Sequence, residues 1–229
     1  MTSSPILAVD PVWREAHPGA AVGIIAVRGV ANPRQHNALN ELAAALESDL
    51  RARLGDADRE TLRTTPPLPA YAAYYKRWGQ RYHVAMQLES VAHKGKPLPR
   101  VAPLVEAMFI AELRNLLLTA GHDLDALDLP VRLGVGAGQS FSAPNGAEMS
   151  VKAGDMVIAD ARDRVLSAIV TGPSDVARIG PGTTAALFYT YAPPGVDVAL
   201  VSDHLDEIER NVRFISPDAE VVGREIVTA

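Results

Sequence analysis

The chain contains no cysteine. Disulfides, thiolate nucleophiles and cysteine metal sites are therefore excluded, and a cytoplasmic setting fits. No apolar run among its 229 residues approaches the roughly 20 needed to span a bilayer, so no membrane partner is expected. The start, MTSSPILAVDPVW, lacks a basic stretch leading into a long apolar one, and no secretory signal is expected. GxSxG, P-loop, GxGxxG and HExxH motifs are all missing, so a serine triad has no local support. VGAGQS (135–140) has glycines but opens no helix and is no phosphate loop.

What is present suits a globular protein. Hydrophobic residues make up 48% and charged residues 21%, enough for one sizeable core. The net charge is −5, yet Lys76, Arg77, Arg81, Lys94, Lys96 and Arg100 crowd one window against Glu89 alone. That window fits a solvated face or a local polyanion site. Aromatics are only 5%, but Tyr71, Tyr74, Tyr75, Trp78 and Tyr82 fall close together in the same region. Such rings either pack in a core or stack on bases.

Residues 22–28 (VGIIAVR) have the short, β-branched character of a buried strand. Leu39, Leu42, Leu46, Leu50 and Leu54 form a helical stripe that Asn37 could cap. TTPPLPA (64–70) reads as a rigid connector that sets off an extension, 1–64, packed on a main domain, 65–229. Two short helices broken at Gly79 follow, then a loop with three prolines. PLVEAMFIAELRNLLLTA (103–120) predicts the strongest helix, with Glu112 and Asn115 as polar exceptions one turn apart. A structural hydrogen bond or a pocket would explain them equally.

Past Pro130 the pattern turns to strands: VRLGVG, DMVIAD, VLSAIVTG and AALFYTYAP. A last helix is expected from an N-cap at Ser202 to about Phe214, and EVVGREIV suggests an edge strand. Helices in the first half and strands in the second predict an α+β fold, with helices packed on a mixed or antiparallel, sandwich-like sheet.

His122 and Asp123 follow the predicted long helix. Three readings stay open: a metal phosphohydrolase site, for which His93 is the nearest further histidine; a substrate-orienting histidine tuned by a carboxylate; and a cationic cap at the helix C-terminus after Gly121. IVTGPSD (169–175) runs a strand into Gly172, where backbone N–H groups could hold an oxyanion.

Taken together, YYKRWG, LVEAMFIAELRNLLLTAGHDLD, KAGDMVIAD, SAIVTGPSD and LFYTYAPPG resemble the free-standing form of the B-three/four editing domain of the phenylalanyl-tRNA synthetase beta subunit. The resemblance covers about residues 65–215 and is strongest from 101 to 195. It implies an α+β, sandwich-like fold and a hydrolase that removes the wrong amino acid from tRNA. The alternative is a module that binds tRNA or an amino acid without chemistry. By this resemblance His122 and Gly172 would be catalytic. Glu112, Asn115, Asp123, Thr171 and Tyr189 would surround the substrate. Lys76, Arg77, Lys94, Lys96 and Arg100 would meet tRNA phosphates. No cofactor, metal or DNA is expected. Where the synthetase carries a tyrosine-reading glutamate this chain has Tyr189, so that specificity does not carry over.

Overall fold

A computed structural model describes residues 5–229. The first four residues, part of the start read for a targeting signal, lie outside the described residues. The architecture is α+β, with helices and mixed and antiparallel sheets.

Two sheets carry the fold. The first has four antiparallel strands in the order β11 (Glu220–Thr228), β2 (Ala21–Arg28), β10 (Ala185–Ala192), β3 (Thr119–Asp123). The second has five, in the order β1 (Leu7–Val9), β4 (Val131–Val135), β7 (Met156–Ala159), β8 (Val165–Ala168), β9 (Gly172–Pro173). Only the β1–β4 pair in it is parallel. A small hairpin, β5 (Ser140–Ser142) and β6 (Glu148–Ser150), stands apart over its own apolar cluster around Phe141 and Val157. β2 is apolar from Ala21 to Val27, where both its faces are covered, and ends in the exposed Arg28. It pairs with β10 on one side and β11 on the other, so the leading segment supplies an inner strand rather than a layer added outside.

Helix α7 (Val198–Ile215) packs closely against β2. A Cβ at Gly23 would come within 2.6 Å of the Val201 side chain, so glycine is what permits this approach. On the other face of that sheet, Tyr189 and Tyr191 reach Ser167 of β8 and tie the two sheets together. α2 (Asn37–Leu54) lays its leucine stripe on the core; Asn37 is its first residue and His36 stands at the cap without a side-chain bond. α1 (Pro11–Ala16), α3 (Arg59–Thr64), α4 (Leu68–Lys76), α5 (His83–Ala92) and α6 (Pro103–Asn115) complete the helical set. TTPPLPA is not a bare connector: it closes α3 and opens α4. Among the described residues no helix is long and apolar enough to cross a membrane.

Three expected elements change. The helix predicted over 103–120 stops at Asn115, where Leu116 takes a left-handed conformation with φ 59°. Its polar exceptions terminate it: Glu112 Oε2 accepts from Thr119 N at 2.9 Å, and Asn115 Nδ2 donates to His204 Nδ1 at 3.1 Å. His204 Nε2 then donates to Thr119 Oγ1, whose own proton goes to the Leu117 carbonyl. Every proton in this chain has one acceptor, and it locks α6, β3 and α7 together. VLSAIVTG is not one strand. Tyr75 donates to the Ile169 carbonyl and Asp155 accepts from Val170 N, so the chain turns and Gly172 folds back opposite Ala168. The last helix begins at Val198, because Asp197 caps it by accepting from Ala199 N.

The tyrosine group belongs to the core. Tyr71, Tyr74, Tyr75 and Tyr82 are buried, and their hydroxyls are bound to Tyr191 O, Asp155, Ile169 O and Leu116 O respectively. They present no free faces for base stacking.

Candidate functional site

β3 is an edge strand, and a cavity of about 480 Å³ lies along it between α6 and the β8–β9 hairpin. Its volume falls within the roughly 300–1,000 Å³ of small-molecule sites. α6 contributes Val105, Met108, Phe109 and Glu112; β3 and the residue before it contribute Leu118 through His122. Ser167, Ala168 and Gly172 form the opposite wall, and Ser174, Arg178 and Ile179 come from the loop beyond it. The walls are mainly apolar, with a few convergent polar groups. Gly121 is needed here: a Cβ would lie 2.9 Å from the Phe188 ring and 3.1 Å from Ile179.

His122 is only 1% exposed, and both ring nitrogens are engaged. Nδ1 lies 2.9 Å from the Val176 carbonyl, which can only accept. Nδ1 therefore carries the proton, and Nε2 offers a lone pair to the Tyr189 hydroxyl at 2.9 Å. The two rings stack, 4° from parallel. That single tyrosine proton faces a second acceptor, Ser167 Oγ, at 3.0 Å. Ser167 Oγ in turn lies 2.8 Å from the Tyr191 hydroxyl. Burial pushes the His122 pKa down to about 4, so the ring is neutral at pH 7. The cationic helix cap is thereby overturned: His122 sits within a strand and carries no charge.

Glu112 is buried, 4% exposed, and burial pushes its carboxyl up to about 8. Desolvation of the carboxylate outweighs its one hydrogen bond from Thr119 N. It is the only carboxyl among the lining residues.

The structure brings His122, Gly172 and Glu112 to one cavity and leaves the other expected residues outside its lining. Asn115 is spent on His204. Asp123 accepts from Asp125 N and from the Thr183 hydroxyl. Tyr189 stands behind His122, fully buried. Thr171 is beside Gly172, its hydroxyl buried without a partner among the described residues. None of the five expected cations lines the cavity; Arg178 is the cation that does. Arg77 stacks on Trp78 at 4.5 Å and Arg100 pairs with Glu47. Lys76, Lys94 and Lys96 are exposed and without ion pairs among the described residues.

No known family model and no curated protein matches the sequence. Among solved structures the chain is distantly similar to an N-terminal fragment of the phenylalanyl-tRNA synthetase beta subunit from Pyrococcus horikoshii. Identity is 12% and the TM-score 0.48, covering 98% of this chain and 50% of that one. The chain thus spans about half the length of that structure.

Ser167 and Arg178 were missed by sequence reasoning. A serine inside the apolar run VLSAIV was a readable signal, since a buried hydroxyl needs partners. Arg178 had none. Among the described residues no group of three or more His, Asp and Glu could hold a metal ion, and His93 is spent on the Leu54 carbonyl.

Proposed function

We propose that the cavity along β3 receives the aminoacyl end of a mischarged tRNA and that its residues promote hydrolysis of the ester. The observation that carries this reading is the convergence of Glu112, His122, Ser167 and Gly172, from four separate segments, on one apolar-walled cavity. The sequence motifs that resemble the free-standing editing domain supply most of these walls.

The chemistry asks for little more. An aminoacyl ester is already activated, so holding it against water and a few donors supplies much of the acceleration. His122 is a positioning residue in this scheme. Its nitrogens are occupied, and it fixes Tyr189, which in turn reaches Ser167. In this scheme the Ser167 hydroxyl and the backbone at Gly172 would meet the ester or its water. Arg178 at the cavity and the lysines at 76, 94 and 96 would contact phosphates of the tRNA.

A second reading, a binding module without chemistry, is favoured by one observation: neither nitrogen of His122 is free to act as a base. A panel of mischarged tRNAs separates the two. The first reading predicts release of at least one amino acid, slowed by Ser167→Ala. Esters left intact by folded protein that still binds tRNA would establish the second.

A further inference from the structure

We propose that Glu112 makes this cavity selective for ligands with a free primary ammonium, so that N-blocked aminoacyl groups are refused. The proposal rests on the reading of the cavity as an aminoacyl site and names the group that would read the amine.

The argument begins with an incomplete hydrogen-bond inventory. Glu112 Oε2 accepts from Thr119 N at 2.9 Å, while Oε1 has no hydrogen-bond partner among the described residues. The carboxyl is nonetheless more than nine-tenths buried and lines the cavity. Buried carboxyls are normally paired, because an unpaired polar group costs free energy. Among the described residues none partners Oε1. From α4 and the turn before α5, Tyr71, Tyr75 and Tyr82 approach, but each donates its proton to a main-chain carbonyl. On β3, His122 is committed at both nitrogens. From α7, His204 is satisfied by Asn115 and Thr119. Of the other titratable lining groups, His83 Nδ1 lies near the Tyr75 hydroxyl and Arg178 donates to the Pro144 carbonyl. No ion pair reaches Glu112 among the described residues.

An ammonium supplies what is missing: several donors and an opposite charge, in a setting that water does not screen. Val105, Met108 and Phe109, on the same helix, would hold the apolar part of the ligand. The proton balance is definite. In the empty site the carboxyl keeps its proton near neutral pH, since burial raises its pKa. A protonated amine that binds turns Glu112 into its carboxylate and releases one proton to solvent. A neutral amine takes that proton itself. An acetylated amine does neither, and its carbonyl gains at most one neutral hydrogen bond.

The test uses non-hydrolysable probes: alaninamide, leucinamide and phenylalaninamide, each against its N-acetyl counterpart, by calorimetry with the full chain. At least one free amide should bind 10-fold or more tightly than its acetylated partner, releasing about one proton at pH 7. Glu112→Gln, which still accepts from Thr119 N, should erase that preference. Equal binding within every pair, no binding by any free amide, or a preference that survives in Glu112→Gln each overturns the proposal. The pair preference is measured on the unaltered protein, so a variant that fails to fold does not decide it. The two readings fail separately. Equal cleavage of aminoacyl- and N-acetylaminoacyl-tRNA overturns amine selection and leaves the deacylase standing. Amine preference with no cleavage of any ester does the reverse.

Discussion

Glu112→Gln should gain stability relative to the native chain as the pH rises from 6.5 to 8. An unfolded glutamate gives up its proton near 4.5, whereas the folded carboxyl keeps it to about 8. Between those values unfolding releases one proton, so raising the pH favours the unfolded chain. One proton corresponds to about 1.4 kcal/mol per pH unit, or about 2 kcal/mol across pH 6.5–8. At this chain length that is roughly 4–8 °C in Tm. Other groups pull the opposite way, below pH 6.5 and into the lower part of the window. His17, His122 and His204 are held by burial at about 4, 4 and 3, so their unfolded forms take up protons that the folded forms refuse. Asp155, raised by burial to about 6, keeps its folded-state proton only below the window. The unfolded histidines still titrate in the lower part of the window, so it is the difference between the native chain and the variant that isolates Glu112. Urea unfolding of both proteins at half-unit steps is the assay. Across the window the native chain should lose about 2 kcal/mol relative to Glu112→Gln. Parallel pH profiles would refute the reasoning, because Glu112 would then titrate alike in the folded and unfolded chains.

Three further outcomes follow from the same geometry. Tyr189→Phe keeps the ring stack but leaves His122 Nε2 buried without a donor, and should cost about 1–3 kcal/mol in chemical denaturation. Gly23→Ala forces a methyl to within 2.6 Å of Val201 Cγ1 and should cost about 1–3 kcal/mol; adding Val201→Ala should recover most of it, read as a double-mutant cycle. If the exposed lysines meet tRNA phosphates, Lys94→Ala with Lys96→Ala should weaken tRNA binding and lower the salt slope by about 1–2; an unchanged slope would place the tRNA elsewhere.

Strand β2, the leucine stripe of α2 and the helix break at Gly79 were legible because each follows local periodicity and turn chemistry. The true end of α6 was not. LLLTA is as suited to a helix as to a strand, and the decision comes from Glu112 and His204, one of them 85 residues from Thr119 along the chain. The same contact moved His122 from a helix end into an edge strand and stripped it of its charge. The lining of the candidate site was legible in part: Glu112, His122 and Gly172 share the cavity. Asn115, Asp123 and Tyr189 lie outside that lining and are hydrogen-bonded within the fold, because polar residues near a cavity are as readily spent on holding its walls. The basic window was legible only as charge. Its aromatics are core and two of its arginines are occupied, which no charge count reveals.

The most direct measurement is a structure of the protein soaked with an adenosine that carries an amide-linked amino acid at its 3′ position. The amino acid should lie between α6 and the β8–β9 hairpin, its amine within hydrogen-bond reach of Glu112 and its carbonyl facing Ser167 and Gly172. A ligand bound anywhere else, or an empty cavity at millimolar analogue, would contradict the account.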